Sequence, residues 1–191
     1  MKSVLISIQP KWCGLIASGK KTVEVRKTKP KLETPFKCYI YCTMGKDLLT
    51  MSNGIVNKPN EIVIDLTHDS KIHELNGTVI GEFVCDKVLE SFLNNNDGWF
   101  VEKGCLTQKE IDEYQGDKAI LYGWHISDLV IYDEPKELGE YGEFYVWKKC
   151  NSCRDTGYKS TACCFDIYCK VPAVITRPPQ SWCYVEELKG E

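Results

Sequence analysis

No run of the chain approaches the roughly 20 apolar residues that cross a bilayer as a helix. A phosphate-cradling glycine-rich loop, a serine nucleophile elbow and a dinucleotide fingerprint are all lacking. These absences remove membrane spans and the nucleotide-loop, serine-hydrolase and nicotinamide-dependent classes as readings. Internal repeats and low-complexity tracts are absent too. Basic residues are not in excess: 24 stand against 27 acidic, a net charge of −3. That excludes a uniformly basic nucleic-acid coat but not a local patch. The N-terminus offers one Lys before three consecutive apolar residues, too little for a signal-peptide core. The expected compartment is therefore cytoplasmic, where thiols stay reduced.

What is present is an ordinary globular balance, with 43% apolar and 27% charged residues. Over 191 residues this predicts a single domain spanning 1–191, able to bury about two-thirds of its surface without disulfides. Cysteine is plentiful, with 11 in the chain. Six are scattered among apolar neighbours, as buried small hydrophobes are. The others, Cys150, Cys153, Cys163, Cys164 and Cys169, fall in a segment of Lys and small polar residues over 148–171, read here as a Cys-rich insertion. Cys150-x2-Cys153 has the spacing of half a zinc site, so the five are candidate metal ligands for a structural Zn. The second half is irregular, and free thiols are the competing reading.

Periodicity predicts a strand over Val4–Ile8 and a helix opened by Pro10, with Trp12, Leu15 and Ile16 on one face. Ser18-Gly19 ends that helix. The alternating segment from Lys20 to Lys27 places Thr22, Glu24 and Arg26 on one strand face and Val23 and Val25 on the other. Lys21 belongs to the opposite face from Glu24 unless the turn twists it across. Strands are expected over Phe36–Thr43, Ile62–Ile64, Gly77–Val88, Ala119–His125, Asp128–Tyr132 and Ser181–Leu188. Gly81 inside one of them marks a bulge or a close backbone approach. Thr107 and Glu110 have capping-box spacing before a second helix. Some six strands and two helices make an α+β chain with a curled mixed or antiparallel sheet, a small β-barrel.

Residues 11–37 hold eight basic side chains and two acidic ones, Glu24 and Glu33, giving an electropositive edge to an acidic protein. Such an edge favours phosphate; a solvated strand with ordinary lysines is the bland alternative.

Ser7-Ile8-Gln9-Pro10 followed by Ser18-Gly19-Lys20-Lys21-Thr22-Val23-Glu24-Val25-Arg26 resembles the signature of the ASCH family, PUA-like proteins. Ile80-Gly81-Glu82-Phe83, Tyr122 to Leu129 and Arg177 to Val185 are similar to later stretches of its phage and bacterial branch. The resemblance implies a PUA-like barrel with flanking helices, a cleft beside the first helix, and RNA or a nucleotide as partner. Lys20, Lys21 and Arg26 would then contact phosphate. Thr22 lies beside them, and Glu24 would accept from a ribose or base edge or orient Arg26. Gln180 and Ser181 could read a base edge, with Trp124 and His125 as a stacking wall.

Some family members resemble amidohydrolases on acylated cytidine that use a Lys, a Thr and a distal Glu. The Lys matches Lys21, and the distal Glu matches Glu102 loosely. The Thr position is Glu24 here, so Lys21 and Glu24 are the catalytic candidates only if the chain is a hydrolase. A protein-interaction module using the Cys-rich loop is the third reading. Two of the three histidines, His68 and His73, lack cysteine neighbours and carry no metal reading.

Overall fold

A computed structural model describes residues 2–52, 61–65, 72–92, 98–141, 144–149, 168–173 and 175–187, with only the backbone given for 144–149 and 168–173. The principal sheet contains β1 (Lys2–Ile8), β3 (Phe36–Cys42), β7 (Val79–Cys85), β10 (Ser127–Lys136) and β13 (Trp182–Glu186), in the order β10-β7-β3-β1-β13. A three-stranded sheet orders β2 (Val23–Arg26), β9 (Ile120–His125) and β8 (Val88–Phe92) as β2-β9-β8. A second joins β4 (Leu48–Ser52), β5 (Glu61–Asp65) and β6 (His73–Glu74), and β11 (Phe144–Lys149) pairs with β12 (Tyr168–Ala173). The α-helices among the described residues are α1 (Pro10–Ala17), α2 (Gly98–Gly104) and α3 (Gln108–Gln115).

Strand β1 lies inside the sheet and is buried on both faces, Val4, Ile6 and Ile8 on one and Ser3, Leu5 and Ser7 on the other. It pairs parallel with β3 and antiparallel with β13. Val4, Ile6 and Ile8 enter one core with Cys38, Ile40, Phe83, Leu49, Met51 and Trp124. Those residues come from three different sheets, so the sheets wrap one interior, the α+β, PUA-like arrangement. Leu5 faces the other way, into a second cluster with Tyr39, Tyr141 and Val185. Parallel pairing of β1 and β3 requires a long crossover, and α1 with β2 supplies it. Helix α1 turns Cys13 and Ile16 into the first core. Helix α2 and Ile111 of α3 instead cover the outer face of β2 and β9, where Val23, Val25, Phe100 and Leu121 pack.

Gly81 meets both halves of its expectation. The β3–β7 register slips between Ile40 and Tyr41, and a Cβ on Gly81 would strike the carbonyl oxygen of Val130 on β10. Strand β10 runs on through Pro135, beyond its expected end at Tyr132. Strands β4, β6 and β8 and helix α2 lie where periodicity is weak. Of the candidate zinc ligands, Cys150, Cys153, Cys163 and Cys164 fall outside the described residues. Cys169 lies on β12, opposite Lys148. Among the described residues no three His, Cys, Asp or Glu side chains are grouped to hold a metal. Nor is any described helix long and apolar enough to cross a membrane.

Candidate functional site

The local sequence decides how Lys21 reaches Glu24. Helix α1 starts with Pro10 at its first turn and ends at Ser18, and Gly19 follows at φ +71°, a conformation glycine adopts without penalty. The amides of Lys20 and Lys21 both bond the Leu15 carbonyl, which closes the turn tightly. Strand β2 begins only at Val23, so Lys21 is outside the pleat and its side chain swings to the Glu24 face. The twist that alternation left open is therefore present.

Lys21, Glu24 and Arg26 form a buried network, only 3%, 6% and 8% exposed. Lys21 Nζ lies 3.4 Å from Glu24 Oε2, and Arg26 Nη2 lies 3.0 Å from Glu24 Oε1. Lys21 Nζ donates to the Gly104 carbonyl at 2.7 Å and stands 5.2 Å from the centre of the Trp12 ring. Arg26 Nη2 donates to the Ser7 carbonyl at 2.6 Å, and Nη1 donates to Ser181 Oγ at 3.3 Å. Segments distant in sequence thus converge on two cations. The 179–181 stretch is itself stitched to β1, since Ser7 Oγ donates to the Pro179 carbonyl and Ser7 N to the Ser181 carbonyl.

Two cations and one carboxylate leave a formal charge of +1 in a largely dehydrated setting. Burying charge is costly unless each is paired and hydrogen-bonded. Here the pairing is incomplete. Arg26 Nε is buried with no partner among the described residues, and so is Trp124 Nε1. Trp124 stands directly across from Glu24 in the β2–β9 ladder, so both point to the same face. The two unpaired groups are both donors.

The other expected site residues divide. Ser181 is in the network, as an anchor of Arg26. Lys20 and Gln180 are exposed at its margins, and Thr22 is half-buried. The stacking wall of Trp124 with His125 does not form. Consecutive strand residues point to opposite faces, and Trp124 is fully buried, edge-on to Phe36 with ring centres 5.8 Å apart. His125 on the other face bonds Asp86, with Nδ1 and Oδ1 2.6 Å apart. Burial pushes the Asp86 carboxyl up, but His125 outweighs it and holds it below its ordinary value. Glu102 turns outward, 72% exposed, and pairs with Lys103.

Sequence reasoning missed Trp12 as the cover of Lys21; its ring, on the apolar face of α1, packs against the first core as well. Also missed were the carbonyls of Ser7 and Gly104, which no side-chain pattern could announce. Lys11 ties α1 to α3 through Glu110 at 3.3 Å and stands 4.2 Å from the Trp12 ring centre.

The network thus combines a net positive charge with two buried, unpaired donors, and exposed lysines lie around it. Comparison with known proteins bears on the fold that carries it. No curated protein matches the chain. Two of the crystal structures that do are from Zymomonas mobilis. One is of ASCH, at 16% identity and a TM-score of 0.55, covering 97% of this chain and 88% of that one. The other is a serine-to-alanine mutant of ASCH, at 16% identity and a TM-score of 0.52, covering 97% and 89%. At such identity the likeness is one of fold. The family model described as ASCH domain matches residues 6–178, which takes in Ser7, Lys21, Glu24, Arg26 and all three described α-helices though not Ser181, and by that match the chain belongs to the ASCH domain family.

Proposed function

We propose that the chain binds RNA or a nucleotide, with the base or another acceptor-bearing group held at the Lys21–Glu24–Arg26 network. The observation that carries this reading is the pair of buried, unpaired donors, Arg26 Nε and Trp124 Nε1, beside a net positive cluster. A buried donor without a partner costs about 1–3 kcal/mol, and a ligand carbonyl or ring nitrogen would recover it. Exposed Lys20 and Gln180 would meet phosphate and ribose at the margin. Lys21 and Arg26 act on the ligand from inside, since both are nearly covered and their charged heads are held by carbonyls.

Binding without turnover is the better-supported form of this reading. The Lys21 ammonium is committed to Gly104 and Glu24, both Glu24 oxygens face cations, and Glu102 points away. The test is titration with nucleosides, nucleoside monophosphates and short single-stranded RNAs at two salt concentrations, with product analysis of each mixture. Tryptophan fluorescence reports binding. Trp124→Phe keeps an aromatic side chain, though a smaller one, and removes the donor, so it should weaken binding about five- to tenfold, the worth of one hydrogen bond. Failure of every ligand to bind, or indifference to Trp124→Phe and Arg26→Lys alike, would sink the reading. Turnover lost in Glu24→Gln would replace it with the hydrolase.

A further inference from the structure

The segment between β2 and β3 takes no part in the network, yet it is bound to aromatic side chains along its length. Residues 27–35 contain Lys27, Lys29 and Lys31 against one acid, Glu33. Thr28 Oγ1 accepts from Trp182 Nε1 at 3.0 Å, and the Lys31 amide donates to the Tyr184 hydroxyl at 2.7 Å. Lys27 Nζ stands 5.0 Å from the centre of the Tyr114 ring, and Lys29 Nζ stands 5.1 Å from that of Tyr122. Lys2 Nζ similarly stands 5.9 Å from that of Tyr184. Tyr114 and Tyr184 are both more than a third exposed. A line of rings leads inward, with Tyr184 to Trp182 at 5.4 Å and Trp182 to Trp124 at 5.8 Å between centres. Trp124 is the cross-strand neighbour of Glu24, so this line ends at the network.

We propose that residues 27–31 with Tyr114, Tyr122 and Tyr184 form a track for single-stranded nucleic acid that leads to the network. The proposal rests on the network being the ligand site and extends it from one nucleotide to a strand. Lysine heads over tyrosine rings are the resting form of such a track. A phosphate draws the ammonium off the ring, and an unpaired base takes the face it leaves. The exchange is favourable because a cation over an exposed ring is held more weakly than a stacked base. Among the described residues only Lys29 gives up an ion pair, with Glu90 at 2.6 Å, and that pair is solvent-exposed and therefore weak. A duplex has no free base faces to offer the rings, so the single strand is the partner.

The test compares uridine monophosphate with a nine-residue oligouridylate, using the whole chain. The triple variant Lys27→Gln/Lys29→Gln/Lys31→Gln should bind the nonamer at least tenfold more weakly at low salt. Its plot of log affinity against log salt should be shallower by about 2, since each phosphate contact to a single strand contributes about 0.7. Its affinity for the monophosphate should stay within about twofold. Tyr184→Ala should weaken the nonamer with an unchanged salt slope, and as a single exposed change it guards against misfolding of the triple variant. A nonamer that binds no more tightly than the monophosphate overturns the track, as does a triple variant with unaltered affinity and slope. If the triple variant loses the nonamer while Trp124→Phe changes neither ligand, the track stands and the network reading falls.

Discussion

Glu24 is the residue on which the site turns, because it is the one acid between two buried cations. Replacing it with Gln removes the charge and leaves Lys21 and Arg26 facing each other out of water. Breaking a buried ion pair this way costs about 3–5 kcal/mol, a large part of the stability of an ordinary domain. Glu24→Gln should therefore lower the urea midpoint by that equivalent at unchanged slope. Lys11→Ala, which breaks the half-exposed pair with Glu110, should cost less than about 1 kcal/mol. Equal losses in the two variants would mean that the network is solvated. At this scale the sequence was readable where strand alternation governs. Thr22, Glu24 and Arg26 against Val23 and Val25 followed from a period of two. Lys21 did not, since its direction comes from the Gly19 turn. The same period, applied to Trp124 and His125, already forbids a shared wall.

Among the elements, α3 shows how local chemistry positions a functional face. Thr107 Oγ1 accepts from the Glu110 amide at 3.2 Å, and Glu110 Oε2 accepts from the Thr107 amide at 2.8 Å, the reciprocal cap that the spacing predicted. Glu110 and Tyr114 are four residues apart on one helix face, where one meets Lys11 and the other Lys27. Thr107→Ala should cost about 1 kcal/mol in thermal or urea unfolding. It should also weaken nonamer binding more than monophosphate binding, because Tyr114 belongs to the track and not to the network. A binding loss equal for both ligands would detach α3 from the track. Elements with caps, prolines or clean alternation were legible, among them β1, α1, β3 and α3. Strands β4 and β8 were not: Leu48–Ser52 and Val88–Phe92 lack a simple period, and pairing holds them extended, β4 between β5 and β6 and β8 against β9.

Across the molecule, the scattered cysteines give the interior a chemical signature that a pH titration can read. Cys13, Cys38 and Cys85 are all buried in the first core. Burial pushes the Cys13 thiol up, with Cys42 beside it adding to the effect. Burial does the same to Cys38, and it raises Cys85 to about 12, with Asp86 contributing. The folded chain therefore keeps these three protons at a pH where the unfolded chain releases them. Stability from this source is fully present below about pH 9, the ordinary thiol range, and falls as pH rises above it. On the acid side, burial pushes the Glu82 carboxyl up, but Lys37 and Tyr132 outweigh it and leave it depressed. That contribution holds above about pH 4.5 and is lost as pH falls below. A plateau between these limits is the expected profile. Beyond the alkaline edge each thiol removes about 1.4 kcal/mol per pH unit, so three remove about 4, comparable with the whole stability of a domain. In the presence of reductant, the melting temperature should fall steeply between about pH 9 and 10.5. Cys85→Ala should start lower, from the cavity it leaves, yet fall less steeply, from the proton it no longer holds. A melting temperature level through that range would show that the buried thiols ionise in place, and with it that the interior shared by the three sheets is open to water.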